Sequence, residues 1–136
     1  TLAKERRRVQ RFQNFSMSYK IYASSNFRRE AKPLLKKFAS LHDELAELGE
    51  QLLTNPLLGK PLGRNCSKIR LTVRSKGKGK SGGLRVITMV VFRPEQKRDV
   101  SVVGLLSIFD KSEQESIDDK KLKALITLFK TEFGVE

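Results

Sequence analysis

The sequence predicts an α+β domain in which two N-terminal helices pack on a small, mainly antiparallel sheet and one further helix closes the chain. Three observations predict it. Apolar residues recur at helical spacing from Phe27 to Leu53. Three apolar runs of strand length follow, broken by short glycine-, proline- or lysine-rich connections. A last helical pattern ends at Phe133. Helices and strands segregated along a chain of 136 residues suit one layered domain with one modest core.

In order, Ser18 to Ala23 alternates and reads as a strand. Ser24 or Ser25 can cap the next helix, whose apolar face is Phe27, Ala31, Leu34, Leu35 and Phe38. Pro33 should kink or restart it, because proline removes one ladder donor and crowds the preceding turn. Ser40 opens a second helix bearing Leu41, Leu45, Leu48, Leu52 and Leu53, with His42, Asp43, Glu44, Glu47 and Glu50 on its wet side. Asn55-Pro56 stops it, and Gly59 to Asn65 reads as a loop. A strand is expected over Cys66 to Arg74, with Ile69, Leu71 and Val73 on one face and Lys68, Arg70, Thr72 and Arg74 on the other. Leu84 to Phe92 is apolar almost throughout and so central in the sheet. Val100 to Phe109 is its partner, and 118–133 the closing helix, entered through a turn capped by Asp110 or Ser112.

Charge narrows the function. Lys and Arg number 28, Asp and Glu 15, for a net charge of +13. Between Glu50 and Glu95 there is no acid, while Lys60, Arg64, Lys68, Arg70, Arg74, Lys76, Lys78, Lys80, Arg85 and Arg93 all fall there. Solvated faces usually mix signs, so a one-sign tract inside a folded chain points to a polyanion partner, nucleic acid first. No apolar run is long enough to span a bilayer, and no membrane association is expected. Residues 1–16 read as a basic extension: a tag, a fusion or a partner-derived segment, with a native basic arm as the alternative. The domain proper is read as 17–136.

Several chemistries are excluded. Cys66 is the sole cysteine and His42 the sole histidine. A disulfide, a His/Cys metal site, a two-imidazole ribonuclease and a Ser-His-Asp triad all lack their parts, so no metal and no cofactor is expected. Gly77 to Gly82 fits GxGxxG literally, but the apolar run that follows reads as a strand, not the helix a pyrophosphate site needs. A Walker loop would need glycine where Arg74 stands. What remains is a cationic loop carrying Lys76, Lys78 and Lys80, either a solvated hairpin tip or a phosphate contact. Any catalysis must come from Lys and Arg. That suits RNA cleavage, since guanidinium groups stabilise charge on a phosphorane-like transition state and a lysine crowded by cations can act as a base toward a 2′-hydroxyl.

Lys68-Ile69-Arg70-Leu71, then Gly77 to Gly83 with Leu84-Arg85-Val86-Ile87, then Leu106 to Glu113 resemble the RelE/ParE toxin superfamily, and its HigB-like branch most. The resemblance covers 18 to about 133. It implies a RelE-like fold and the toxin of a type II toxin–antitoxin system, a cytoplasmic, ribosome-dependent mRNA endoribonuclease without metal. It also implies a cognate antitoxin in a hetero-oligomer. Lys68, Arg70, Arg85 and Lys111 would be the catalytic set, Arg85 gripping the scissile phosphate and Lys111 standing beside the leaving group. Arg74, Lys76, Lys78 and Lys80 would bind RNA. The chain departs from the family in having no tyrosine after Tyr22, which leaves Phe92 or Phe109 to stack on a base. A gyrase inhibitor, or a non-catalytic RNA- or antitoxin-binding member of the same fold, stays open.

Overall fold

A computed structural model describes residues 19–76, 83–95, 98–112 and 116–135. The expectations for 1–16, Lys78 and Lys80 lie outside the described residues. Strand β1 (Tyr19–Ala23) leads into helices α1 (Ser25–Lys37) and α2 (Leu41–Thr54), then strands β2 (Lys60–Gly63), β3 (Cys66–Leu71), β4 (Leu84–Glu95) and β5 (Arg98–Asp110), and helix α3 (Asp119–Phe133). The strands form one sheet in the order β1-β5-β4-β3-β2. The β1–β5 pair is parallel and the other three are antiparallel.

This corrects the expected fold. The sheet is a five-stranded mixed one, and the helices lie on both its faces instead of forming a single layer. The reason is in β4 and β5, which are apolar on both faces. Leu84, Val86, Val90, Val103 and Ile108 pack with Phe27, Phe38, Leu41, Leu48 and Leu52 of the helix pair. Ile87, Met89, Val91, Val102, Leu106 and Phe109 pack with Leu122, Leu125 and Phe129 of α3. A sheet greasy on both sides needs two covering layers. Gly104 of β5 lets α3 approach: a Cβ there would lie 2.5 Å from the Phe129 ring. Tyr22 stacks on Phe133 at 4.8 Å between ring centroids and holds the last turn of α3 against β1.

Ser24 caps α1, accepting from the Phe27 amide at 3.0 Å, and α1 runs through Pro33 without a break. Asp118, not Asp110 or Ser112, caps α3 by accepting from the Lys121 amide. The segment read as a Gly/Pro loop contains β2, which turns into β3 through Arg64 and Asn65, both at positive φ (55° and 62°). Two such residues make the tight turn that matches strand twist, and Pro61 is tolerated because β2 is an edge. Strand β3 ends at Leu71, and Arg74–Lys76 forms a 3-10 turn.

One irregularity sets up the site. Ile87 pairs with Ser107, but Thr88 pairs with Leu105, so Leu106 is an extra residue in β5. A bulge of this kind re-aims every later side chain. Phe109 thus falls on the α3 face opposite Arg85, and Asp110 on the α1/α2 face opposite Leu84.

Candidate nucleic-acid interface

The acid-free tract divides between the two faces of the sheet. On the α3 face, Cys66, Lys68 and Arg70 follow one another at two-residue steps along β3. Arg70 stands directly opposite Arg85 of β4, and Lys68 directly opposite Lys60 of β2. Paired residues across an antiparallel ladder share a face, and like charges held directly opposite destabilise it. Lys60 and Arg70 are exposed, Lys68 is half-buried and Arg85 is 3% exposed. Among the described residues no carboxylate forms an ion pair with any of the four. The Arg85 guanidinium folds back, Nη1 donating to the Leu84 carbonyl at 3.1 Å. Burial, and then the neighbouring Arg70, pull its pKa below the ordinary arginine value.

On the α1/α2 face the cations are matched. Lys76 Nζ lies 2.7 Å from Asp110 Oδ1 and sits over the Phe38 ring. Asp110 also accepts from the Ser112 amide and hydroxyl at 2.9 and 2.8 Å. Burial pushes the Asp110 carboxyl up, but the Lys76 ammonium and the Ser112 donors outweigh it and hold the pKa below the usual carboxylate range. The Arg74 amide donates to Glu44 Oε2 at 2.7 Å, and its guanidinium lies 3.7 Å from Glu44 and 3.9 Å from Glu47. Ser40 Oγ bonds Glu44 at 2.9 Å and Ser75 at 2.9 Å. Glu44, expected on the wet side of α2, is therefore buried and ties α2 to the turn before Gly77.

Of the residues expected in the site, Lys68, Arg70 and Arg85 come together. Lys111, half-buried, follows Asp110 at the same end of the sheet. Arg74 and Lys76 face the other way and anchor the stem of the segment bearing Lys78 and Lys80. Phe109 is buried in the α3 core and offers no stacking surface. Lys60 stands in the segment 59–65 that reads as a loop, so its place on this face carries no periodic signal in the sequence. The Arg64-Asn65 pair before an alternating run was the available signal, since asparagine tolerates positive φ. Arg64 itself is engaged, donating to both carboxylate oxygens of Asp119 at 3.1 and 3.3 Å. Cys66 begins the same strand face, but burial pushes its thiol up to about 11 against the pull of Arg64 and Lys130, so it is no nucleophile at neutral pH.

Among the described residues no three or more of His, Cys, Asp and Glu are grouped to hold a metal ion. No helix among them is long and apolar enough to cross a membrane. No protein-family model matches the chain, and no curated protein matches it significantly.

Proposed function

We propose that this chain is an RNA-cleaving toxin, a cytoplasmic endoribonuclease that acts without a metal on mRNA held by the ribosome and is held in check by a cognate antitoxin. The observation that carries the reading is the set of cross-strand like-charge pairs, Lys60–Lys68 and Arg70–Arg85, facing no carboxylate among the described residues. Such an arrangement costs folding free energy, and a bound polyanion offsets the cost.

In the mechanism Arg70 engages the scissile phosphate and stabilises the charge that builds on it. Arg85 is a positioning residue: nearly covered, it holds Arg70 outward by repulsion and adds positive potential from below. Lys68, acting as its neutral amine, takes the proton from the ribose 2′-hydroxyl. The 2′-oxygen attacks the adjacent phosphorus, the bond to the 5′-oxygen of the next nucleotide breaks, and Lys111 returns a proton to that leaving oxygen. The products are a 2′,3′-cyclic phosphate and a 5′-hydroxyl, the proton taken up by Lys68 matching the one given up by Lys111.

Induced expression of the wild type beside Arg70→Ala and Lys68→Ala, with mapping of new mRNA 5′ ends, tests the proposal. Cuts inside translated codons that vanish in both variants are expected. Growth arrest without new cuts would overturn it in favour of a protein target such as gyrase. Neither arrest nor cuts would make the chain a binding protein only.

A further inference from the structure

The proposed cleavage uses Arg70 and Lys68, yet the row continues to Lys60. Gly59, at φ +105°, brings the start of β2 so close to β3 that a Cβ would lie 2.7 Å from the Lys68 carbonyl. That approach sets Lys60 directly across from Lys68. By strand geometry Lys68 lies about 7 Å along β3 from Arg70, and Lys60 about 5 Å further across the sheet. Arg64, close by in sequence, is occupied by Asp119, which leaves Lys60 as the cation of this hairpin that neither an acid nor the proposed cleavage engages among the described residues.

From this arrangement we infer that Lys60 forms a second phosphate contact, beyond the cleavage site of Arg70 and Lys68, so that an extended single strand of RNA crosses the sheet from β4 toward the edge strand β2. The inference rests on the proposed function for the nature of the polyanion, but it concerns binding and is read independently of cleavage. A regular duplex would present its phosphates on a curved surface. A row that steps diagonally over three neighbouring strands suits a single strand laid open.

The test is a salt titration of the full chain with a short single-stranded oligoribonucleotide, 2′-O-methylated so that it cannot be cut. Each phosphate neutralised on a single strand adds about 0.7 to the magnitude of the slope of log K against log salt. Lys60→Ala is expected to reduce the slope by about 0.7, and Lys60→Arg to restore it. A wild-type slope in Lys60→Ala, with Arg70→Ala reducing it, would overturn this second contact and leave the proposed function standing. No salt-dependent binding by the wild type would overturn both.

Discussion

Two groups of cations come from one stretch of sequence and meet opposite fates on the two faces of one sheet. Arg74 and Lys76 lie against Glu44, Glu47 and Asp110 on the helix-pair side. Lys60, Lys68, Arg70 and Arg85 lie against one another on the α3 side. The acids that neutralise the first group come from far along the chain, in α2 and at the end of β5. The Leu106 bulge decides where the last of them goes. Were β5 to pair on from Leu105 without the bulge, Asp110 would fall opposite Gly83, on the same face as Arg85, and the patch would lose its uniform sign. Cations paired in this way hold structure together, whereas the unpaired ones add no such tie to the fold.

Breaking the paired side should cost the most. Asp110→Ala leaves the Lys76 ammonium partly buried without its partner, and an expected loss of about 3 kcal/mol in urea unfolding follows from the usual cost of orphaning one member of a buried pair. Glu44→Ala removes the acceptor of the Arg74 amide and of Ser40, and should cost about 2 kcal/mol in the same measurement. A wild-type midpoint in either variant would show that the pairing does not hold the stem.

Acid should separate the faces next. The Asp110 carboxyl is held below its ordinary value of 3.8 in the folded chain. Its contribution is therefore complete above that value and is lost as the pH falls through the lower, folded one. Unfolding midpoints followed below pH 4 should drop more steeply for the wild type than for Asp110→Asn, and parallel curves would contradict the assignment.

The smallest stability effect belongs to the unpaired side, and it should have the opposite sign. Arg70→Met removes a cross-strand repulsion and should raise stability by about 0.5 kcal/mol or leave it unchanged. A clear loss of stability would mean that Arg70 is a structural residue after all.

The helices and the two long strands were legible in the sequence because their periodicity is local. Phe27, Ala31 and Phe38 on α1, and Leu122, Leu125 and Phe129 on α3, are buried as their spacing required. The layering was misjudged although its signal was present: β4 is apolar on consecutive residues, which already asked for helices on both faces. Strand β2 was hidden by Pro61 and by glycines that usually mark loops. The basic patch was half legible. Alternation placed Lys68 and Arg70 on one face, but the separation of Lys76 from Arg85 depends on a one-residue bulge in a different strand and on Glu44, which a helical wheel puts in water. No local pattern encodes either.

The unpaired cations, and not the paired ones, should be the ones that meet the polyanion. Binding of the uncleavable single-stranded oligoribonucleotide to folded Arg70→Met and folded Lys76→Met, side by side with the wild type, tests it most directly. Affinity should fall in Arg70→Met and stay at the wild-type level in Lys76→Met. The reverse order, or equal losses in both, would contradict it.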